Sequence, residues 1–187
     1  MQIELRELTV NDLPRIGEVD RTEMNAARHI ARRSEDGLSL TLTREVMDPP
    51  GYNPPWSEEG IERRMNLWRP ELEQDGVFVG AFDGEKFAGF AILGHMFRDK
   101  SAELAAIFVD AAYRRTGIGA QLVREIERRA VEKGIEALFV HANWTESAVK
   151  FYLKHGYRIL ALSDNSVVKH KKGDPEFAKA LTEEVRS

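Results

Sequence analysis

The spacing of apolar positions changes period several times along the chain, and each change marks an element. Ile3 to Arg6 alternates apolar with polar, which predicts a short opening strand. Thr9, Asn11 and Asp12 follow as helix caps, with Pro14 tolerated in a first turn. Leu13, Ile16 and Val19 then begin a helical apolar stripe that weakens toward Arg33. Ser34 to Trp56 carries no clear period, and its end, D-P-P-G-Y-N-P-P-W, has four prolines in nine residues and reads as a stiff loop. Ser57 is a good N-cap, Glu58 and Glu59 suit a first turn, and Ile61, Met65, Trp68 and Leu72 line one helix face. Pro70 is expected to kink or end that helix.

The period then shortens. V-F-V-G-A-F and K-F-A-G-F-A-I-L flank Asp83-Gly84, a strong hairpin signal. Ala102 to Val109 is apolar enough to be a central strand. Ile118, Leu122, Ile126 and Ala130 recur every four residues, so a helix follows, closed by Lys133-Gly134. Ala137 to His141 reads as a strand. Thr145 to His155 reads as a short helix with Ala148, Phe151 and Tyr152 on one side, stopped by Gly156. Tyr157 to Leu162 and Val167 to Lys169 read as late strands around an Asp164-Asn165 turn, and the tail is expected to be helical from Pro175. The order predicts a mixed α/β domain built on one sheet.

Composition narrows the class. A chain of 187 residues, 42% hydrophobic and 31% charged, suits one globular domain. Its net charge of −4 argues against nucleic acid as a partner. The lack of cysteine removes disulfides, thiolate zinc sites and a cysteine nucleophile, and it fits a reducing cytoplasm. Glu4, Glu7 and Asp12 break any secretory apolar core, and no apolar run reaches the roughly 20 residues that span a bilayer. The expectation is a soluble cytoplasmic protein with no metal and no membrane partner.

The candidate chemistry lies between the third strand of this group and the helix after it, in Y-R-R-T-G-I-G-A, Tyr113 to Ala120. The first amides of a helix lack intrahelical acceptors, and with the helix dipole they favour a bound phosphate. Gly117 and Gly119 let the backbone approach oxygen atoms closely, and Arg114 and Arg115 add cationic groups. No Gly-Lys-Ser/Thr follows, so this is not a P-loop, and the six-residue Rossmann pattern is also absent. The turn suits a pyrophosphate.

R-R-T-G-I-G-A resembles the R/Q-x-x-G-x-G/A signature of the GNAT N-acetyltransferase superfamily, through Arg114, Gly117 and Gly119. S-A-V-K-F-Y-L-K-H-G-Y is similar to the A-x-x-x-Y-x-x-x-G-F/Y helix of the same family, through Ala148, Tyr152, Gly156 and Tyr157. The resemblance implies a mostly antiparallel twisted sheet of about six or seven strands, splayed near the cofactor, with helices on both faces. It also implies one N-acetyltransferase domain over 1–187. Within it, 1–75 would form the acceptor side, 76–162 the acyl-coenzyme A core, and 163–187 the last strand and tail.

Acetyl-coenzyme A is the implied co-substrate. Arg115, Thr116, Gly117, Ile118, Gly119 and Ala120 would hold its pyrophosphate, with Arg114 beside them. The backbone of Ile107, Phe108 and Val109 would pair with the pantetheine arm. Tyr152 takes the family's general-acid position, where a phenol of ordinary pKa about 10 can give a proton to a departing thiolate. Glu103, on the strand before the turn, is the candidate base, and strict alternation would put it on one face with Ala105, Ile107 and Val109. His141 or a water molecule are alternatives. Thr145 stands where many relatives have an asparagine and reads most simply as a helix cap, while Asn143, two residues earlier, is assigned to the pantetheine arm.

The acceptor is expected to be a primary amine of a small molecule. Tyr52, Trp56, Glu58, Glu59 and Trp68 could wall a pocket for a cationic amine. Two other readings stay open, a protein N-acetyltransferase and a non-catalytic acyl-coenzyme A sensor. Some relatives form dimers, and nothing in the sequence settles whether this chain does.

Overall fold

The computed structural model describes residues 2–36, 38–97, 99–162 and 175–181. The chain divides into two compact units. One comprises Met1–Thr22, Pro54–Leu138 and Ala180–Ser187, and the other Glu23–Asn53 and Phe139–Lys179.

In the first unit, β1 (Ile3–Leu8), β4 (Val77–Asp83), β5 (Lys86–Leu93) and β6 (Ser101–Val109) lie side by side in that order, each pair antiparallel. The β4–β5 hairpin turns at Gly84, whose φ of 61° explains the Asp-Gly signal. A 3₁₀ helix, Val10–Glu18, buries Leu13 and Ile16 and begins with a Thr9–Asp12 capping box. Helix α1 (Glu58–Glu73) starts at Ser57, whose side chain accepts a hydrogen bond from the Gly60 amide. Pro70 does not end α1, which runs through it for one more turn. Trp68, fully buried, and Leu72 pack on the core on either side of the proline and hold the helix together. Leu13, Ile16, Trp68, Phe78, Phe82, Phe87, Phe90 and Ile92 form one core cluster, and burying each large side chain contributes about 1.5–3 kcal/mol. Helix α2 (Ile118–Glu132) buries Ile118, Leu122, Ile126 and Ala130, the predicted row.

The second unit holds the corrections to the N-terminal and C-terminal readings. Residues expected to continue a helical stripe form β2 (Glu23–Arg33), and the first part of the proline-rich stretch, Asp48 to Asn53, is the end of β3 (Leu40–Asn53), while Pro54, Pro55 and Trp56 follow it outside the strand. The two strands pair antiparallel from Glu23↔Asn53 to Arg33↔Leu40. Strand β7 (Ala137–His141) begins at the boundary of the units and continues into this one. Helix α3 (Glu146–Lys154) is capped by Thr145, as expected. It buries Val149 and Tyr152 rather than Ala148 and Phe151.

Strand β8 (Arg158–Leu162) pairs antiparallel with β9 (Pro175–Ala180), which lies between β7 and β8. The tail from Pro175 was expected to be helical. It is a strand because Phe177 buries its ring completely beside Tyr152. The expected strand at Val167 to Lys169 lies outside the described residues. The fold is mixed α/β with mostly antiparallel strands, and no helix among the described residues is long and apolar enough to cross a membrane.

Candidate active site

The glycine turn is held open by its flanks. Asp110, at the end of β6, is buried, and its carboxylate accepts hydrogen bonds from the amides of Ala112 (3.0 Å) and Asp20 (2.9 Å). Arg114 turns its guanidinium inward, donating to the carbonyls of Thr22 (2.6 Å) and Val109 (3.2 Å). It therefore fastens the strand end to the loop after the 3₁₀ helix instead of projecting toward an anion. Thr116 donates through Oγ1 to the Tyr113 carbonyl at 2.6 Å.

The backbone between them reverses hand twice, with φ of 63° at Arg115 and 94° at Gly117. Such alternation curls successive N–H groups toward one side, the geometry of an anion-binding nest. A Cβ on Gly117 would meet nothing within 4 Å, so the glycine is required by its φ and not by space. In α2 the helical bonding begins with the Gln121 amide donating to the Gly117 carbonyl, which leaves the amides of Ile118, Gly119 and Ala120 at the open end. Arg115, Thr116 and Gly117 are exposed.

Glu103 is not on the face that alternation assigned to it. Ile92 pairs with Ala106, but Leu93 pairs with Leu104, so β6 carries an extra residue at Ala105. A bulge of this kind reverses parity. Glu103 consequently shares a face with Ala106 and Phe108, not with Ile107 and Val109. Phe108 stacks on Phe90 (5.4 Å) and touches Trp56 (5.1 Å) and Trp68 (6.4 Å). Glu103 thus stands on the face that α1 covers.

In the second unit, Tyr152 is 6% exposed and ringed by Phe151, Tyr157 and Phe177 at 5.4–5.5 Å. Burial raises the phenol well above its ordinary value, so it stays protonated. Its hydroxyl has no hydrogen bond among the described residues. Asn143 is exposed, and its Oδ1 accepts from the amide (3.2 Å) and the hydroxyl (2.6 Å) of Thr145. The loop is tied to β2 by the His29 amide, which donates to the Trp144 carbonyl at 2.7 Å. His141 Nε2 lies 3.6 Å from the Glu176 carboxylate.

These features meet an independent finding: residues 41–157 match the family model described as the Acetyltransferase (GNAT) family. The chain belongs to that family. This acetyltransferase is 32% identical, over 71% of its own length and 85% of the other's, to an uncharacterized N-acetyltransferase of Bacillus subtilis. It is 28% identical to a spermidine N(1)-acetyltransferase of Thermoplasma acidophilum, over 92% of this chain and 98% of that one. The solved structure of a PaiA N-acetyltransferase from Thermoplasma acidophilum, in complex with coenzyme A, shares its fold. The TM-score is 0.61 at 22% identity, over 96% of this chain and 99% of the other. The chain is an acetyl-coenzyme A-dependent N-acetyltransferase. No group of three or more His, Asp or Glu residues converges as a metal site among the described residues.

Sequence reasoning about this acetyltransferase missed two things. The bulge at Ala105 has no sequence signature, since every residue around it is apolar. The expected wall of Trp56, Glu58, Glu59 and Trp68 is not a wall in the first unit: Trp68 is core, and Glu58 and Glu59 face solvent. Trp56 lies instead under the guanidinium of Arg21, and Tyr52 stands exposed on β3 in the other unit.

Proposed function

We propose that the protein moves the acetyl group of acetyl-coenzyme A directly to a primary amine of a small molecule, with both substrates bound together. The observation that carries this is the nest at Arg115 to Gly117, opening onto the free amides of Ile118, Gly119 and Ala120. It offers several aligned donors to a diphosphate, with Arg115 exposed beside it. Ile107, Phe108 and Val109 lie in extended backbone on the strand that leads into the turn and would pair with the amide-bearing pantetheine arm, and Asn143 would serve the same arm.

Acetyl-coenzyme A supplies a thioester carbonyl. Glu103 would take a proton from the acceptor's ammonium, His141 or water being the alternatives, which frees the neutral amine to attack the carbonyl. As the new C–N bond forms and the C–S bond breaks, Tyr152 would give its phenolic proton to the departing thiolate, and the second proton that the nitrogen sheds on becoming an amide would return through solvent to the phenolate. A phenol kept neutral by burial, with no hydrogen bond among the described residues, favours this role over that of a non-catalytic sensor. The resemblance to a spermidine N(1)-acetyltransferase supports a small-molecule amine as acceptor.

Titration calorimetry with acetyl-coenzyme A, followed by thiol release across a panel of amines and peptides, tests the proposal. Saturable heat and turnover with small amines are expected. Heat without turnover on any amine would favour the sensor, and turnover on peptides alone would make the acceptor a protein.

A further inference from the structure

The first unit gathers a set of arginines along a row of aromatic rings. Trp56, Phe108 and Trp68 form a row of rings, with Phe108 5.1 Å from Trp56 and 6.4 Å from Trp68. A guanidinium lies over each outer ring: Arg21 at 4.6 Å from Trp56, and Arg64 at 5.6 Å from Trp68. Arg21 Nε donates to the Pro54 carbonyl at 2.8 Å, which fixes its plane. Arg63, next to Arg64, is exposed. Among the described residues no carboxylate is within ion-pair distance of any of the three. The Nε of Arg64 and the indole Nε1 of Trp56 are both buried without a hydrogen-bond partner.

Burial, followed by the charges of neighbouring arginines, lowers the pKa of Arg21 and of Arg64. Several other arginines of the unit are matched, Arg15 with Glu18 and Arg128 and Arg129 with Glu125, whereas Arg21 and Arg64 lie over aromatic rings. Like charges gathered on an aromatic floor, with two buried donors unsatisfied, make a costly arrangement for a protein that binds nothing there. Its address is informative. The row includes Phe108, so it lies on the face of β6 that also carries Glu103, the candidate base.

We propose that Arg21, Arg63, Arg64 and the Trp56 indole N–H receive a carboxylate of the acyl acceptor, so that the amine acetylated is an amino acid or a similar amine bearing a carboxylate. The proposal rests on the acetyl-transfer reading and narrows its acceptor. Planar guanidinium forks match a carboxylate in paired hydrogen bonds, which a polyamine cannot offer. Binding the carboxylate supplies the missing anion and uses the two unpaired donors. It also orients the amine relative to Glu103's face of the strand.

The experiment compares free amino acids with the corresponding amides as acceptors, by thiol release with acetyl-coenzyme A, in the wild type, Arg63→Gln and Arg64→Gln. At least one amino acid should exceed its amide at least tenfold in kcat/KM. Arg64→Gln should erase that preference through KM, with the acetyl-coenzyme A dissociation constant unchanged within twofold. Amides or diamines equal to the acids in the wild type would overturn the proposal while leaving acetyl transfer intact.

A weaker hold on acetyl-coenzyme A in Arg64→Gln would overturn it too, by assigning the cluster to the donor's phosphates. So would a preference for succinyl- over acetyl-coenzyme A that the variant abolishes, since the carboxylate would then belong to the acyl group. Thermal shift with N-acetylated amino acids and their amides needs no turnover and reads the receptor even if the transfer reading fails. Stabilisation by the acids alone, lost in Arg64→Gln, supports it, and equal or absent shifts overturn it. Arg63→Gln, at an exposed position, guards against a folding defect in Arg64→Gln and should show the same change in smaller measure.

Discussion

Tyr152 combines a buried phenol with a hydroxyl that has no hydrogen-bond partner among the described residues. Burial favours its neutral form, so the proton needed by a departing thiolate is retained through the ordinary phenol pKa of about 10. Tyr152→Phe keeps the ring among Phe151, Tyr157 and Phe177 and removes only the proton. We expect turnover to fall at least tenfold, about 1.4 kcal/mol in the barrier, at every pH up to 10. Acetyl-coenzyme A affinity should stay within twofold by calorimetry. Turnover like the wild type's would exclude the role. The bulge at Ala105 puts Glu103 on the face of Phe108. If it is the base, Glu103→Gln should lower kcat/KM and remove the acid limb of its pH profile, whereas His141→Ala should leave that limb in place. The reverse pattern would transfer the role to His141.

Among elements, α3 carries a paired carboxylate at its N-terminus. Glu146 in its first turn accepts from Arg44 of β3 at 2.7 and 3.1 Å and lies 2.7 Å from Lys150. The Arg44 hydrogen bonds, then that of Lys150, lower its carboxyl from 4.5 to about 2. A lowered carboxyl pKa contributes stability that is present above the unfolded value and is lost as pH falls from about 4.5 through about 2. Glu146→Gln should therefore reduce stability near neutral pH and flatten the loss between those values, as denaturant midpoints at pH 6, 4 and 3 would register. Unchanged acid sensitivity would show that other carboxylates dominate.

The same helix shows what the sequence could disclose. Thr145 and Gly156 announce its ends because capping and a left-handed stop are local requirements, and Gly156 has a φ of 85°. The strands that were misread depend on partners distant in sequence. E-M-N-A-A-R-H-I-A-R-R has the residues of a helix, and only pairing with β3 makes β2 a strand. Pro175 and Glu176 look like a helix start until Phe177 is given a place beside Tyr152. Pro70 should cost a helix about 3 kcal/mol, which packing of Trp68 and Leu72 offsets.

At the scale of the whole molecule, the diphosphate cradle was readable because it is written in consecutive residues. The arginine cluster was not, since Arg21 and Arg64 meet only through the ring row of Trp56, Phe108 and Trp68. A ligand that binds only the folded state at 100 times its dissociation constant stabilises it by about 2.7 kcal/mol. For a chain of this length, each kcal/mol moves Tm by roughly 2–4 °C, so acetyl-coenzyme A should raise Tm by about 5–11 °C. Because the cradle depends on Gly117 at a φ of 94°, Gly117→Ala should cost about 1–2 kcal/mol without ligand, as a side chain enters the left-handed region. At the same ligand concentration its Tm gain should then shrink to a small part of the wild type's, because the amides at the mouth of α2 no longer converge. ATP, which lacks the pantetheine arm that β6 would pair with, should shift the wild type far less. A full ligand-induced gain in Gly117→Ala would mean that the donor is held without the turn, and the assignment of the diphosphate to Arg115–Ala120 would fall with it.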